Sequence, residues 1–457
     1  MQTQRDHVHA HTFMMGRLSS ALVEGDPTGA EIPGHRAQTG LLVGVLLSIL
    51  VVGGFAVYGW IVPGGSKAYK QAGTIIVEKE SGNRFVYIDG ALHPVPDLTS
   101  AMLIQGGKST VKLVSRNSLK DVPRGIPLGV AGAPQQLPTA DALTDGPWLT
   151  CLPGSVATGR KVSGLGVNLE PDVPVTLLPE KKFLVVEDEQ GQPYLLANYV
   201  KYKITDESVL VALGAAATRP APAPDMWLGW LGDGVDLGPA KIPGEGSTGP
   251  RVGGRTHKVG TLFRQGEDQL FVLRKDGLAP VSRTEFLILD AADRRAPVDL
   301  DPADLVAAER STDRTLLDRL PDLASLQLQD TSGQAVCQQQ RPVDPENYTS
   351  VVALAPQWAS GVYADGKTTV IVRQGSGMAV TPVASVTDAS AATSASAAKK
   401  VAFVSDEGMA YNLADTTTVA SLKLNTVTPV PFPRELLAAL PQGPVLSRKA
   451  VTSLARG

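Results

Sequence analysis

One apolar, uncharged run dominates the sequence. It extends from Gly40 to Val62, and Ser48 is its only hydroxyl before Tyr58. At 1.5 Å per residue, a helix over this run is about 34 Å long, enough to cross a hydrocarbon core of roughly 30 Å. A cleaved signal peptide has a shorter apolar region nearer the N-terminus. We therefore predict a tail (residues 1–39), one transmembrane helix (residues 40–62) and a large part beyond the membrane.

Basic residues on the two sides of this run do not settle its orientation, because their numbers are nearly even. The two cysteines, Cys151 and Cys337, both lie in the large part. An even pair behind a membrane anchor is typical of a disulfide, which forms outside the cytosol. We therefore expect an extracytoplasmic large part with a Cys151–Cys337 disulfide. The alternative is two buried free thiols in a cytosolic domain.

The tail and the apolar run each carry a helical pattern. In the tail, apolar residues recur at steps of three and four until Gly25-Asp26-Pro27 ends the pattern, and these residues are Ala10, Phe13, Met14, Leu18, Ala21 and Leu22. This predicts an amphipathic helix whose apolar face is covered by a partner protein or by the membrane surface. In the run, Gly40, Gly44 and Ser48 form a small-residue stripe on which a second helix can pack, although glycine is common in membrane helices in general.

The large part is predicted to be β-rich, mixed α+β and internally repetitive. Four segments share two β-rich runs joined by a polar turn, and a further turn then leads to a short apolar helix. They are residues 63–120 (repeat 1), 180–245 (repeat 2), 246–300 (repeat 3) and 396–457 (repeat 4). The remaining residues, 121–179 and 301–395, each hold one cysteine and are assigned to a central domain joined by the disulfide. The Ala/Ser/Thr-rich residues 384–398 are assigned to a linker or surface loop.

Repeats 2 and 4 also agree over a gapless stretch beyond their strands. The shared positions are Leu228 with Leu437, Leu231 with Leu440, Gly234 with Gly443, and Leu237 with Leu446.

Patterns that indicate chemistry are few. The net charge of −3, without a basic cluster, argues against a nucleic-acid partner. Gly107, Lys108 and Ser109 form a weak nucleotide-loop candidate, because the earlier glycine of a P-loop is Met102 here. Tail histidines His7 and His11 have metal-ligand spacing, but three solvated histidines are the favoured interpretation of this tail. We expect no catalytic residue, no cofactor and no metal.

The tail from Asp6 to Val23 (DHVHAHTFMMGRLSSALV) resembles the opening of the EccB family, a single-span core component of type VII (ESX) secretion systems. Segments 148–151, 194–197, 276–282 and 436–446 also resemble family motifs. The resemblance implies a cytoplasmic N-terminus, one span, and four β-rich repeats around a disulfide-linked central domain outside the cytoplasm. It also implies docking of the tail through Phe13, Arg17, Leu18 and Leu22.

The implied function is a non-enzymatic structural subunit of the secretion membrane complex. Its implied partners are EccC, EccD and EccE type subunits, other copies of the outer domain, and a mycosin protease. Some descriptions of the family use the word ATPase. A membrane-anchored envelope ATPase or hydrolase, or a cell-wall-binding module, therefore stays as the alternative function.

Overall fold

A computed structural model describes residues 4–25, 35–61, 67–152, 164–170, 172–197, 199–293, 295–361, 368–384 and 400–454. Val62 and most of the predicted loop at 384–398 lie outside these ranges. Backbone contacts divide the chain into two units. The first holds residues 1–68, 78–81 and 113–122, and the second, here called the body, holds residues 69–77, 82–112 and 123–457.

The first unit is helical. Helix α1 spans Gln4–Glu24 and is followed by Gly25 at φ +72°, a conformation that glycine adopts without strain after a helix end. Helix α2 spans His35–Ile61, so it begins five residues before the predicted apolar run. In the same unit, the Arg116 side chain contacts Glu78 at 3.2 Å, and the Arg116 amide donates to Glu80 at 2.8 Å.

Four of the sheets share one topology, and they are numbered 1 to 4 in chain order, with their strands given below. Three consecutive strands form an antiparallel meander, a helix follows, and a fourth strand pairs on the outer side of the first strand. The fourth strand is parallel to the first in sheets 2, 3 and 4. In sheet 1, the Thr110 amide donates to the Gly73 carbonyl and the Lys79 amide to the Val114 carbonyl, so the two strands run parallel there too.

The first two sheets lie in the N-terminal half of the chain. Sheet 1 contains β1 (Thr74–Glu78), β2 (Arg84–Ile88), β3 (Ala91–Val95) and β4 (Thr110–Val114), with α3 (Leu98–Gln105) before β4 and α4 (Arg116–Leu119) after it. The central sheet begins with β5 (Trp148–Cys151), β6 (Gly166–Asn168) and β7 (Thr176–Leu177). Sheet 2 contains β8 (Lys182–Glu187), β9 (Pro193–Ala197), β10 (Val200–Lys203), β11 (Ala221–Pro222) and β12 (Gly232–Asp233), with α5 (Ser208–Ala212) and α6 (Asp225–Leu228).

The other elements follow a β-hairpin of β13 (Thr248–Val252) and β14 (Arg255–Lys258). Sheet 3 contains β15 (Leu262–Gln265), β16 (Gln269–Arg274), β17 (Gly277–Pro280) and β18 (Val298–Asp299), with α7 (Arg283–Ala292), α8 (Pro302–Ala307) and α9 (Thr315–Asp318). Strand β19 (Gln327–Leu328) pairs with β8, and the central sheet is completed by β20 (Gln334–Asp344), β21 (Asn347–Pro356) and β22 (Thr369–Ile371). Sheet 4 contains β23 (Gly377–Val383), β24 (Ala402–Ser405), β25 (Ala410–Asn412) and β26 (Val430–Pro433), with α10 (Thr416–Ser421), α11 (Arg434–Ala439) and, after the sheet, α12 (Arg448–Leu454).

In sheets 1 to 4, the segment after the fourth strand, here called the return, follows the same path. After a short helix, the backbone pairs in parallel with the third strand of its sheet. One amide in each return donates to a carbonyl of that strand, and these bonds run from Gly125 to Leu92, from Gly234 to Lys201, from Ser311 to Leu278, and from Gly443 to Ala410. The matched glycines of the sequence, Gly234 and Gly443, therefore occupy the same place in sheets 2 and 4.

Buried apolar side chains join the sheets of the body in pairs. Sheet 1 and sheet 4 share one core, in which Ile75 and Val86 pack with Phe403 and Tyr411. Sheet 2 shares a core with α7, which follows the meander of sheet 3. The largest core unites the central sheet with sheets 2 and 4 around Trp148. The central sheet has the order β22-β6-β5-β20-β21-β7.

Strand pairing groups two segments differently from the sequence prediction. Strand β23 was assigned to the central domain, yet it is the first strand of sheet 4, so the two runs predicted for repeat 4 are its second and third strands. Residues Leu305 and Ala308 were also assigned to the central domain, yet they pack into the core of sheet 3. The first difference arises because residues 384–401 separate β23 from β24 in the sequence. The second arises because α8 is a helix that packs on sheet 3 without pairing with its strands.

Candidate functional site

Helix α1 exposes most of its large apolar side chains. Phe13 is 53% exposed, Leu18 56% and Leu22 82%. Met14 and Met15 are exposed as well, whereas Ser20 is buried. Removing apolar side chains from water lowers the free energy, so the exposed apolar side chains of this helix form a candidate interaction surface.

The apolar residues predicted for this helix spread over about 180° of its circumference, with Ala10, Met14 and Ala21 between Phe13 and Leu22. Phe13 and Leu18 are five residues apart, which at 100° per residue places them about 140° apart around the helix. Phe13 instead lies beside Arg17, whose guanidinium carbon is 5.9 Å from the Phe13 ring centroid. Leu18 and Leu22 are one turn apart, on the other side of this apolar arc. The arc therefore has two sides, an aromatic–cationic surface and an aliphatic surface.

Helix α2 is the one candidate membrane span among the described residues. Its apolar window covers Ala37–Gly59, and none of that window is buried by the rest of the protein. Neither Gly40 nor Gly44 has an atom within 4 Å of where a Cβ would stand, and the Ser48 hydroxyl donates to the Gly44 carbonyl at 2.8 Å. The small-residue stripe is therefore open, with its one hydroxyl satisfied inside the helix.

The predicted disulfide is confirmed. Cys151 on β5 and Cys337 on β20 are directly opposite in antiparallel register, with Cα atoms 3.9 Å apart. Both residues are fully buried and pack with Leu149, Ala335 and Ala355. The disulfide thus joins neighbouring strands of the central sheet across 186 residues of sequence.

The glycine loop after α3 has the reverse order of a P-loop. A P-loop leads from a strand into a helix N-terminus, whose amides hold phosphate. Here α3 ends, Gly106 at φ +85° turns the chain, and β4 follows. A Cβ on Gly107 would stand 2.5 Å from the Ala420 carbonyl, so this glycine allows close packing against α10. Lys108 is exposed, and Ser109 is buried with its carbonyl bound to Lys423.

The histidines of the body have structural contacts. A ring nitrogen of His93 lies 2.9 Å from the Ile126 carbonyl, and the ring covers Gly125, where a Cβ would stand 2.3 Å from it. His257 lies edge-on to Phe263 at 4.9 Å. His7, His9 and His11 are exposed on α1, and no group of three metal-ligand side chains occurs within the described ranges.

The pKa values of two capping aspartates shift in opposite directions, although each aspartate caps the helix that follows the third strand of its sheet. Asp97 caps α3 through the Ser100 amide, and Asp415 caps α10 through the Thr418 amide. Burial raises the pKa of Asp97, although hydrogen bonds from Ser100 oppose the shift. Hydrogen bonds from Thr417 and Thr418 lower the pKa of the exposed Asp415. These shifts belong to helix capping, since both carboxylates are used by local amides.

One surface residue was missed by the sequence analysis. Tyr199 follows β9 in a two-residue turn, where its φ is +66°. It lines a shallow depression together with Leu178, Glu180 and Val352. A tyrosine has no sequence signal for positive φ; the only available hint was the turn length between two strand-like runs.

Comparison with known proteins gives a consistent result along the chain. A family profile described as "Type VII secretion system ESX-1, transport TM domain B" matches residues 1–455. The chain is 25% identical to the "ESX-1 secretion system ATPase EccB1" of Mycobacterium tuberculosis, over 98% of this chain and 94% of that protein. It is 27% identical to the "ESX-3 secretion system ATPase EccB3" of Mycolicibacterium smegmatis, over 97% and 89%.

Solved structures share the fold. A chain of "Structure of an intact ESX-5 inner membrane complex, Composite C3 model" matches with a TM-score of 0.57 and 21% identity, over 99% of this chain and 95% of that one. A chain of "Structure of EccB3 dimer from the ESX-3 core complex" matches with a TM-score of 0.57 and 24% identity, over 82% and 99%.

Proposed function

Because the chain belongs to the EccB family of type VII (ESX) secretion systems, we propose that it is a structural, non-enzymatic subunit of the secretion membrane complex. In this role it anchors and organises the channel for protein export. The observation that carries the proposal is that α1 and α2 expose most of their large apolar side chains, whereas the body buries most of its own.

The tail docks to neighbouring subunits at the cytoplasmic face. Its aromatic–cationic surface is formed by Phe13 and Arg17, and its aliphatic surface by Leu18 and Leu22. Two surfaces on one helix suit contact with two neighbours, and we propose subunits of the EccC, EccD and EccE types. Within the membrane, Gly40, Gly44 and Ser48 let another helix approach α2 closely.

The large part lies outside the cytoplasm. The disulfide supports this orientation, because structural disulfides persist in oxidising compartments. There, the body meets other copies of itself and a mycosin protease. Self-association is supported by one structural relative, the EccB3 of the ESX-3 core complex, which is described as a dimer.

We further propose that sheets 1 to 4 are four related repeats around the central sheet. Their common strand order, their capped helices and their matching returns support this. The N-caps of α3, α7 and α10 are Asp97, Ser282 and Asp415, each of which accepts a backbone amide of its helix. In sheet 2 the equivalent acceptor is Asp206, which binds the amide of Ser208 at the start of α5.

The word ATPase occurs in the names of the curated relatives. The reversed order of helix, Gly107-Lys108-Ser109 and strand does not favour nucleotide binding at that loop. We therefore expect Lys108→Ala to leave any nucleotide turnover of the purified full chain unchanged.

Docking is tested by co-purification of the tagged full chain in mild detergent. Phe13→Asp and Leu18→Asp each place a charge on one of the two surfaces of α1. We expect each variant to lose different subunits from the native particle, by more than tenfold, while the body keeps its melting temperature. His9→Gln, on the same exposed helix, is the control. Full recovery of all subunits with both variants would contradict the docking role.

A further inference from the structure

Tyr199 adopts a backbone conformation that its side chain disfavours. Its φ of +66° lies in the left-handed region, which costs a residue with a Cβ about 1–2 kcal/mol relative to the right-handed one. The corresponding turn of sheet 1 has Gly90 at φ +88°, where there is no such cost. Glycine would close the sheet 2 turn with less strain, so hairpin formation does not explain the tyrosine.

The surroundings of Tyr199 do not explain it either. Its side chain remains 50% exposed, so burial recovers little free energy. The depression that it lines has an apolar floor, formed by Val352 and the partly buried Leu178, and an exposed carboxylate, Glu180. Strained residues that are not needed for packing mark functional surfaces. An aromatic ring, an apolar floor and a carboxylate are the three groups that bind a guanidinium with its aliphatic stem.

The depression adjoins an open sheet edge. Leu178 directly follows β7, the last strand of the central sheet, and its amide donates to the Val352 carbonyl. The outer side of β7 has no strand partner among the described residues. Leu177 on β7 is 46% exposed. An exposed edge with a pocket beside it is the arrangement that accepts an extended segment as an added strand.

We propose that this surface, Leu177, Leu178, Glu180, Tyr199 and Val352, binds an extended segment of a partner protein through an arginine. The segment adds to the edge of β7, and its guanidinium stacks on the Tyr199 ring and pairs with Glu180. Neighbouring charges are those of Lys181 and Lys182, and the Lys182 amine is held by the Gln327 side chain at 2.9 Å. The surface is on the body, so this proposal is independent of docking by α1.

The test uses the full chain in its native membrane with the photo-crosslinker benzoylphenylalanine in place of Tyr199. We expect one dominant crosslink to a peptide of another protein that contains arginine, identified by mass spectrometry. A second Glu180→Arg change should reduce that crosslink at least tenfold, because it replaces attraction by repulsion. Crosslinker at Trp358, which is 56% exposed, is the site control.

The proposal is overturned by a crosslink to lipid or to a second copy of the chain, by a peptide without arginine, by yields no higher than at residue 358, or by a yield that Glu180→Arg leaves unchanged. A separate measurement tests the strain. Tyr199→Gly should keep or raise the melting temperature of the protein; a decrease of several degrees would show that Tyr199 serves the fold and would also overturn the proposal.

Discussion

The N-terminal helices and the body treat apolar side chains in opposite ways. Leu41 and Phe55 in α2 are 70% and 74% exposed, whereas Phe183 and Phe403 in the body are fully buried. A disulfide also links two neighbouring strands of the central sheet in the body. The body therefore supplies its own stabilising contacts, whereas we expect the helices to gain theirs from lipid and from other subunits. Substitutions of the same kind should thus affect folding in the body and assembly in the helices.

The largest effect is expected from removing the disulfide. Cys151→Ala with Cys337→Ala frees a loop of 186 residues and should lower the free energy of unfolding of the body by about 5 kcal/mol in the chain-entropy model. Urea unfolding followed by tryptophan fluorescence measures this. Reductant should shift the wild-type midpoint and leave the double variant unchanged. An unaltered wild-type midpoint under full reduction would contradict the prediction.

The next largest effect concerns an ion pair whose carboxylate is buried. Arg319 donates to both Glu285 oxygens, at 2.6 and 2.8 Å, and to the Gly238 carbonyl, while Glu285 is fully buried. Arg319→Ala leaves that carboxylate unpaired and should cost about 3 kcal/mol in urea unfolding. Arg264→Ala, which breaks the exposed pair with Asp299, is the matched control and should cost less than about 1 kcal/mol. Equal costs would mean that burial of Glu285 does not matter.

The same substitution at two glycines, Gly443 in the body and Gly44 in α2, allows the two regions to be compared. A Cβ on Gly443 would stand 2.3 Å from the Tyr411 ring, which is buried, whereas Gly44 has open space. Gly443→Ala should destabilise the body by about 1–3 kcal/mol through overpacking. Gly44→Ala should leave thermal unfolding unchanged and weaken co-purification of the complex.

A double variant in sheet 4 tests whether sheets 3 and 4 have equivalent positions. In sheet 3 the equivalent positions are Ser311 and Ala279. Gly443→Ser with Tyr411→Ala copies that pair into sheet 4 and should be less destabilised than the sum of its two single variants. Simple additivity would argue against equivalence of the two sheets.

The smallest effect concerns the two capping aspartates. The lowered pKa of Asp415 means that its carboxylate stabilises the folded body above the ordinary aspartate pKa, near 4, and that this contribution is lost as the pH falls through its folded value. The raised pKa of Asp97 has the opposite sign, so stability falls as the pH rises from that ordinary value to the folded one. Asp415→Asn should therefore lower the free energy of unfolding by a few tenths of a kcal/mol at pH 7 and by less at pH 3.5. Asp97→Asn should leave the free energy of unfolding unchanged or raise it at pH 7. Melting temperatures at the two pH values check both signs.

Local patterns in the sequence were sufficient for several elements. The apolar run predicted α2, the three- and four-residue spacing predicted α1, and β-rich runs joined by polar turns predicted β1, β2, β8, β9, β15 and β16. Each of these signals lies within one element or one turn, so neighbouring residues carry it. The Cys151–Cys337 pair was predictable because the chain has only two cysteines.

Other features depended on contacts between distant residues. The pairing of β23 with β24, the Arg319–Glu285 pair and the left-handed Tyr199 left no periodic signal. In the sequence, Gly106-Gly107-Lys108-Ser109 suggested a nucleotide loop, but its glycines serve the turn after α3 and the close approach of α10. The sequence by itself determined which segments are apolar, extended or helical, because those properties are local. Only the tertiary structure decided which strands pair and which surfaces stay open, since these depend on what the rest of the chain places beside each residue.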